Sequence, residues 1–372
     1  MKVTLKRSAL LKPLQTISGV VERKQTMPIL ANVLLVANEQ GLSLTATDTE
    51  LELIGNAEVD EVAVPGSITV SARKLLDICR ALPEDAVLHI EHEGPHVVLR
   101  SGRSRFLLAT LPIEDFPVVE NVSFKTVFRM SQARLKKLLT NIHFAMGQQD
   151  VRHYLNGALF DIQSSTLKCV ATDGHRLAFS QFQGLPDDVV SMKVILPRKS
   201  VVELIRLLDA NSEEDITISI GENHFRVQAH DFTFTSRLVS AQYPDYERLI
   251  PRQVQKTALA DRETFRQALV RAAILSSEKF RGVRLQLDQD ALRIIANNPE
   301  QEEAEETIHL EYQGSEMELG FNVAYLLDVL SAVGTEKIRC SFNELTSGVL
   351  FEPVEDTSSL YLCLYVVMPV RF

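Results

Sequence analysis

The stretch Leu167–Phe179, LKCVATDGHRLAF, decides how the rest of the chain is interpreted. An apolar run, an Asp-Gly pair and a second apolar run are typical of two strands joined by a tight hairpin turn. The same pattern occurs in Leu42–Leu51, LSLTATDTEL, and a weaker copy occurs in Leu292–Asn298, LRIIANN. Equivalent alanines in consecutive copies are 125 residues apart, so the sequence predicts one unit repeated three times.

Six segments have apolar residues at the spacing of an amphipathic helix. They cover approximately Arg7 to Val21, Ala72 to Leu82, Ser131 to Met146, Arg198 to Leu208, Asp261 to Leu275 and Asn322 to Val333. Ser131 and Asp261 are of the residue types that cap a helix N-terminus. Between the helices, apolar and polar residues alternate as they do in half-buried strands. Each unit is therefore predicted to consist of helix, strands, helix, strands.

Two further landmarks recur at nearly the same interval. An acidic residue lies in the second helix of each unit, at Asp77, Glu203 and Asp328. A proline lies near the end of each unit, at Pro117, Pro244 and Pro369. We therefore predict an α+β protein of three repeated domains, each with two helices on antiparallel sheet, over residues 1–124, 125–250 and 251–372.

Composition indicates an ordinary globular protein, with 372 residues, 45% of them apolar and 24% charged. The sequence has no run of 18 apolar residues, so no membrane span is predicted. The segment Met1–Arg7 does not resemble a signal peptide. The four cysteines lie far apart in apolar runs, which is typical of reduced core residues. These features predict a cytoplasmic protein without membrane contact, structural disulfides or a zinc site.

Several apparent catalytic motifs fail on inspection. The segment His92–His96, HEGPH, matches a zinc pattern that needs a helix, but Gly-Pro in its middle predicts a turn between strands instead. There is no phosphate-binding or dinucleotide-binding glycine motif. His153, Asp173 and His175 leave open a metal-dependent hydrolase as an alternative function, although no nucleophile motif accompanies them. A binding or structural role is favoured, with no catalytic residue, metal or cofactor.

The charge distribution differs from the net charge of −10. Cations outnumber acidic residues on the sides of the helices away from their apolar stripes. Cations on helices are usually just solvated, but five of the six helices share this bias, which favours a polyanionic partner. The cations that we single out are Arg73, Arg80, Lys136, Arg198, Lys199 and Arg206.

With the three repeats, several segments resemble the bacterial DNA polymerase III beta subunit family, the sliding clamps. These segments are Met27–Asn32, Arg152–Gly157, Ala171–Ala178, Tyr243–Tyr246, Asn297–Glu300 and Tyr365–Phe372. The resemblance covers the whole chain. It implies a head-to-tail homodimer that closes as a ring around double-stranded DNA without sequence preference. It also implies loading by an ATP-driven clamp loader, tethering of the DNA polymerase III catalytic subunit, and binding of other polymerases and repair proteins through short linear peptides.

The resemblance further implies a peptide pocket between the second and third domains. Carried over residue by residue, the pocket comprises Leu155, Thr172, Gly174, His175, Arg176, Leu177, Pro244, Arg248, Leu249, Leu345, Ser347, Val366, Val367, Met368, Pro369, Val370 and Arg371. The apolar members could hold a Leu or aromatic anchor, with His175 and Arg176 offering polar contacts at the rim. Val370 and Phe372 depart from the Met and Leu familiar in the family. A scaffold of three repeats that does not bind DNA remains a further alternative.

The resemblance and the charge pattern together predict two interfaces. For the dimer, the first domain of one subunit is expected to pack on the third domain of the other. Basic residues of the first domain would face an acidic run of the third, with apolar contacts beside them. The members of this interface are Lys74, Arg103, Arg105, Phe106, Leu108, Ile274, Leu275, Glu300, Glu302 and Glu303. For DNA, loop residues join the helix cations named above; these are Lys24, Gln149, Arg152, His153 and Tyr154.

The last residues, Val366–Phe372, are unusually apolar for a chain terminus. Pro369 cannot continue a central strand because it lacks a backbone N–H. We therefore expect Val366 and Val367 to close a sheet edge, and Met368–Phe372 to turn out along an apolar groove beside Leu177.

Overall fold

The central hairpin forms where the Asp-Gly signal predicts it, with strands over Thr166–Thr172 and Arg176–Gln183. The computed structural model describes residues 1–21, 27–119, 122–252, 255–277, 279, 281–343, 348–354 and 360–370. Within those residues the helices are α1 Arg7–Ile17, α2 Ala72–Ala81, α3 Gln132–Ile142, α4 Arg198–Leu207, α5 Arg262–Ala273 and α6 Val323–Ala332. All six predicted helices are confirmed.

Within the described residues each repeat begins with one strand that the sequence pattern did not predict, and then follows the predicted order of helix, strands, helix and strands. The first repeat has β1 Lys2–Lys6, β2 Asn32–Asn38, β3 Gly41–Thr47, β4 Leu51–Ala57, β5 Glu61–Val64, β6 Gly66–Ser71, β7 Val87–Glu93, β8 His96–Ser101 and β9 Ser104–Ala109. The second has β10 Thr126–Ser131, β11 Gly157–Gln163, β12 Thr166–Thr172, β13 Arg176–Gln183, β14 Met192–Pro197, β15 Asp215–Ile220, β16 His224–Gln228 and β17 Phe232–Arg237. The third has β18 Lys256–Asp261, β19 Gly282–Asp288, β20 Ala291–Asn297, β21 Glu303–His309, β22 Glu311–Tyr312, β23 Met317–Asn322, β24 Lys337–Phe342, β25 Val349–Pro353 and β26 Tyr361–Val367.

Some helix ends differ from the sequence expectation. The first helix ends at Ile17 rather than Val21, because Ser18 and Gly19 begin a turn. The third helix ends at Ile142 and continues to Ala145 as a 3-10 turn, which a periodicity argument does not distinguish from α-helix. The fifth ends at Ala273, just before the exposed side chain of Ile274.

The chain divides into two compact units, one of residues 1–133 with 206–238 and one of residues 134–205 with 239–372. In the described residues of the first unit, one sheet has the order β5-β1-β7-β8-β9 and another has the order β10-β15-β16-β17-β4-β3-β2-β6. In those of the second unit, the orders are β14-β11-β12-β13-β26-β25-β24-β18-β22 and β21-β20-β19-β23. Every strand pair within them is antiparallel, so the α+β prediction is confirmed.

Strands of neighbouring repeats pair inside each unit. In the first unit β17 pairs with β4, with Ser236 opposite Leu51. In the second unit β26 pairs with β13, with Val367 opposite Arg176. The expectation that Val366 and Val367 close a sheet edge is therefore wrong, because β26 lies between β13 and β25. Its apolar sequence reflects that central position.

The core follows the predicted apolar stripes. Leu10, Leu14 and Ile17 of α1 are buried, and α1 packs on β3 and β4. Cys79, Cys169 and Cys340 are buried and Cys363 is half-buried, and all four are free thiols, as predicted. Burial raises the pKa of Cys79 to about 11 and that of Cys340 to about 12, which keeps both thiols protonated. No helix among the described residues is long and apolar enough to cross a membrane.

The HEGPH segment is a hairpin turn, as predicted. Its Gly94 has φ +59° and connects β7, which ends at Glu93, to β8, which begins at His96. Because Glu93 and His96 are paired across the turn, the two histidines cannot share one helix face.

Asp261 caps α5, as its residue type predicted, and accepts a hydrogen bond from the backbone N–H of Thr264 at 2.7 Å. Hydrogen bonds from the side chain and the backbone N–H of Thr264 lower the pKa of the Asp261 carboxyl. A carboxyl with a lowered folded-state pKa stabilises the fold above its ordinary pKa of about 3.9, and the effect is lost as the pH falls through the folded-state pKa.

We predict that Asp261→Ala lowers the free energy of unfolding of α5 by about 1 kcal/mol near neutral pH. The loss should shrink in acid, because protonation removes the charge-assisted cap from the wild-type protein as well. Hydrogen exchange of the α5 amides, followed down to the lowest pH at which the chain stays folded, measures both effects. Ser71→Ala is the matched control, because Ser71 Oγ caps α2 through the N–H of Lys74 and does not titrate. A loss at Asp261 that is independent of pH would contradict the prediction.

Candidate functional site

The turn between β12 and β13 is built on Asp173. Its Oδ1 accepts hydrogen bonds from the backbone N–H of His175 at 2.9 Å and of Arg176 at 3.0 Å. Gly174 takes φ +90°, a conformation that glycine adopts without strain. Thr172 Oγ1 donates to the carbonyl of Arg176 at 2.6 Å and accepts from Gly174 N–H at 3.0 Å. The turn is therefore rigid, and it holds His175 and Arg176 in fixed places.

Arg176 joins three parts of the second unit. Its Nε donates to Asp173 Oδ2 at 3.1 Å, its Nη1 donates to Asp328 Oδ2 of α6 at 2.5 Å, and its Nη2 donates to the carbonyl of Phe144 at 2.7 Å. The guanidinium also lies 4.5 Å from the ring centroid of Tyr325. Only 10% of its side chain is exposed. Three of its N–H groups are therefore engaged inside the unit, and a contact of Arg176 with a bound peptide stays a prediction.

His175 keeps an exposed side chain, stacked on Tyr325 with 6.2 Å between ring centroids. Its carbonyl accepts a hydrogen bond from the N–H of Met368 at 2.9 Å. Val370 N–H in turn donates to the carbonyl of Gly320 at 2.9 Å. The end of the chain therefore runs from the central hairpin to β23, with Met368 and Val370 each 38% exposed. Arg371, Phe372, Leu345 and Ser347 lie outside the described residues.

The predicted pocket residues separate into a floor and a rim. Leu155, Leu177 and Val366 are buried, and Leu177 lies opposite Val366 across the strand pair. Val367 is also buried, but on the other face of β26. The exposed residues beside them are Gly174, His175, Pro244, Arg248, Leu249, Met368 and Val370, with Pro369 half-buried. An apolar floor with exposed apolar rim residues is the arrangement that holds a hydrophobic anchor.

Sequence reasoning missed the polar support of this region. Asp161 is fully buried, and its Oδ2 accepts from the hydroxyl of Tyr246 at 3.0 Å and lies 3.2 Å from Lys193 Nζ. Tyr246 begins the 3-10 turn Tyr246–Leu249, which carries the rim residues Arg248 and Leu249. The signal available in the sequence was a carboxylate in the middle of an otherwise apolar strand, Gly157–Gln163.

Tyr154 was expected at DNA, but its ring packs against the cluster that contains Leu177 and Val366. Tyr243 and Ile250 pack against the same cluster. Tyr154 therefore borders the pocket floor, and its side chain is only partly accessible to another molecule.

The loop that carries Gln149, Arg152 and His153 exposes all three side chains. Arg152 Nη2 donates to Asp150 Oδ2 at 2.8 Å and to the carbonyl of Asp173 at 3.3 Å. The hydrogen bonds from Arg152 lower the pKa of Asp150 to about 2. This loop is thereby attached to the Asp173 turn. Lys24 lies outside the described residues.

The helix cations expected at DNA are in part engaged within the chain. Arg198 Nη1 donates to the carbonyls of His143 and Met146, and Arg206 Nη2 donates to that of Thr16. Arg73 lies 3.8 Å from Asp77. Arg73, Arg80, Lys199 and Arg206 are exposed and Lys136 is half-buried.

The residues expected at the dimer contact are mostly on the surface. Ile274 is 74% exposed and Leu275 is half-buried. In β9 the alternation leaves Phe106 half-buried and Leu108 only 8% exposed, while Leu107 between them is 51% exposed. Lys74, Arg103, Arg105, Glu300, Glu302 and Glu303 are exposed.

The hydrolase alternative finds no support. The Asp173 carboxylate is occupied by the turn and by Arg176. No group of three His, Cys, Asp or Glu side chains suited to a metal ion occurs within the described part of the chain.

Comparison with known proteins identifies relatives over the full length. Models of the DNA polymerase III beta subunit match in three consecutive parts, the N-terminal domain over residues 1–120, the central domain over 129–245 and the C-terminal domain over 247–371. The beta sliding clamp of Pseudomonas aeruginosa is 49% identical over 371 residues, covering 100% of both chains. The crystal structure of the DNA polymerase III subunit beta from the same organism is similar with a TM-score of 0.96, 48% identity and 100% coverage of both chains. A DnaN sliding clamp from this organism bound to griselimycin is similar with a TM-score of 0.95, 48% identity and 100% coverage of both chains.

We predict that Arg176→Ala lowers the free energy of unfolding by about 3 kcal/mol, because it leaves Asp328, Asp173 and a carbonyl without their buried donor. Chemical denaturation followed by circular dichroism measures the change. Arg248→Ala is the matched control, because Arg248 is 84% exposed, pairs with Asp245 at 2.7 Å on the surface, and should contribute about 1 kcal/mol or less. Equal losses for the two variants would show that Arg176 has no central structural role.

Proposed function

Because the chain belongs to the DNA polymerase III beta subunit family and is a sliding clamp without catalytic activity of its own, we propose that two copies close head to tail into a ring around duplex DNA. The clamp confers processivity by tethering the replicative polymerase. A tethered polymerase that leaves the primer end stays at high local concentration and rebinds. The proposal places the ring in the cytoplasm, loaded by an ATP-driven clamp loader.

The observation that carries the proposal is a pair of strands, one in the first repeat and one in the third, that lie at sheet edges although their equivalents in the other repeats are paired. β17 of the second repeat pairs with β4 of the first, and β26 of the third pairs with β13 of the second. The strand equivalent to β17 in the first repeat is β9, and the strand equivalent to β4 in the third repeat is β21. Both lie at sheet edges within the described residues. An edge strand can accept a partner strand, and these two edges are the complementary halves of the joint that the repeats form twice inside the chain.

The existing joints also supply a register for the dimer. Glu52 lies opposite Thr235 in the first joint, and Leu177 lies opposite Val366 at the same position of the second. The third joint would form between β9 of one copy and β21 of the other. With the same register, Leu107 would lie opposite Glu303 and Arg105 opposite Glu305. Arg105 and Glu305 are both exposed, and Glu305 already pairs with Arg293 at 2.5 Å.

Apolar contact should provide most of the dimer affinity, because exposed ion pairs contribute only about 0–1 kcal/mol each. Ile274 follows the end of α5, and α5 packs on β21. In the proposed register Phe106 lies opposite Ala304, on the face of β9 that also carries Leu108. Ile274 and Leu275 would pack beside Phe106 on this side of the joint.

We propose that partner proteins dock a short linear peptide on the pocket between the second and third repeats. An apolar anchor would lie on Leu177 and Val366, beneath the rim of Leu249 and Met368. The partners are the DNA polymerase III catalytic subunit, the clamp loader, and other polymerases and repair proteins. One shared pocket makes these partners compete for the same clamp.

We propose that the loop over residues 147–153 and the exposed helix cations touch the phosphates of double-stranded DNA. Backbone contacts of this kind carry no sequence information, as a sliding ring requires. The domain boundaries at residues 124 and 250 remain a prediction of the repeat pattern.

We predict that the protein, loaded with its clamp loader and ATP, stays on nicked circular DNA during gel filtration and is released when the circle is linearised, because only a ring slides off an end. The variant with Ile274→Ala and Leu275→Ala should sediment as a monomer and lose this retention. Val127→Ala is the control, since Val127 is 57% exposed but lies outside the joint. Equal retention on linear and circular DNA would exclude encirclement, and a dimeric double variant would exclude this interface.

We predict that replacing Lys24 and Arg152 together by Ala weakens binding to primed DNA and reduces the salt slope by about 0.9 for each phosphate that the variant no longer neutralises. Fluorescence anisotropy over a range of salt concentrations measures the slope. Lys2→Ala is the control, because Lys2 is an exposed cation on β1 that pairs with Glu91. An unchanged slope in the double variant would show that neither residue contacts phosphate.

A further inference from the structure

The strand β26 carries an apolar stripe that continues beyond the pocket floor. Alternate residues of a strand point to one face, so Leu362, Leu364 and Val366 share the face that holds Leu177, and Leu360 immediately precedes the strand at the same end as Leu362. Val366 is 2% exposed and Leu364 is 8% exposed, whereas Leu362 is 46% exposed and Leu360 is 56% exposed. The stripe is therefore buried at the pocket and open to solvent farther along the strand.

The positions of the two exposed leucines are fixed by the sheet. Leu362 lies opposite Gln181 on β13. The carbonyl of Leu360 accepts a hydrogen bond from the N–H of Gln183 at 2.9 Å. The stripe is thus a preformed surface on a central strand, and binding there needs no ordering of the backbone.

Among the residues that the structure describes, the cover over this face stops short of the exposed leucines. Tyr246 packs on Phe179, with 6.1 Å between ring centroids, and belongs to the same buried cluster as Leu364. In the next row across the sheet, the residues beside Leu362 are Gln181 and Lys168, and Lys168 Nζ pairs with Glu247 at 3.4 Å. The open leucines are therefore bordered by polar side chains that can hydrogen-bond a peptide backbone.

We propose that Leu360 and Leu362 form a second subsite for the peptide that occupies the pocket, a proposal that rests on the peptide-docking function above. The occupant is an extended segment of the same partner chain. A strand rises about 3.3 Å per residue, so Leu362 lies about 13 Å and Leu360 about 20 Å from Val366. An apolar side chain four to six residues from the pocket anchor would reach the stripe.

The small size of the stripe favours this occupant. A stable interface between two copies buries about 800 Å² on each partner, far more than two leucine side chains supply. The same area is sufficient as an extension of an interface that is anchored next to it. Only the buried Leu364 lies between Val366 and Leu362 on this face of β26, so the stripe and the pocket floor are neighbours.

The test uses synthetic fluorescein-labelled peptides tiled from the DNA polymerase III catalytic subunit of the same organism. The shortest peptide that binds is compared with versions extended by six residues at either end. The variant with Leu360→Ser and Leu362→Ser should bind the extended peptide about tenfold more weakly and the short peptide with unchanged affinity, because burial of one leucine strengthens binding at least that much. Val127→Ser is the control for an exposed apolar strand residue outside the stripe.

The other outcomes separate the stripe from the pocket. Equal weakening for short and extended peptides would show that the leucines only support the pocket, and it would overturn the subsite. Extended peptides that gain nothing over the short one on the wild-type clamp would overturn it too. Failure of every peptide to bind would reject the pocket itself and the subsite with it. A changed sedimentation coefficient with unchanged peptide affinities would overturn the subsite and assign the stripe to contacts between copies.

Discussion

Backbone pairing between strands of successive repeats is the constraint on which the rest of the structure depends. β17 closes on β4, and β26 closes on β13, with the same register at both joints. A shift of one residue would turn every side chain of the added strand to the other face. The hairpin turns at Asp48 and Asp173 help to fix this register, because each carboxylate holds the first residues of the strand that receives the partner.

The same joint gives different surfaces in the two units because one pair of facing residues differs. Leu177 and Val366 form an apolar floor at the joint of the second unit. The equivalent residues in the first unit are Glu52 and Thr235. Glu52 is 4% exposed and accepts the N–H of Val119 at 2.9 Å, and burial raises the pKa of its carboxyl. The backbone at Val119 thus occupies the polar joint of the first unit. This explains why the apolar pocket belongs to the second unit.

Local periodicity was sufficient to predict the helices, the hairpins and the repeated unit. The resemblance to a family, and not periodicity, assembled the pocket residues. Neither could predict the role of Arg176, because its partners Asp328 and Phe144 are far away in the sequence. The central place of β26 was missed for a related reason. Its strand partner belongs to the preceding repeat, and an apolar terminal strand looks the same at an edge and in the middle of a sheet.

Charge counting along the sequence also overstated the free basic charge of the helices. Arg7 and Arg262 donate to backbone carbonyls and so stabilise the fold. Lys12, Arg266 and Arg271 pair with Asp231, Glu263 and Glu306. A phosphate that approaches such a cation must compete with a carboxylate already in place, which weakens each contact. Weak contacts are what a sliding clamp requires, because strong binding to individual phosphates would oppose movement along the duplex. In the proposed ring, closure of the chain rather than attraction to DNA keeps the clamp on its track.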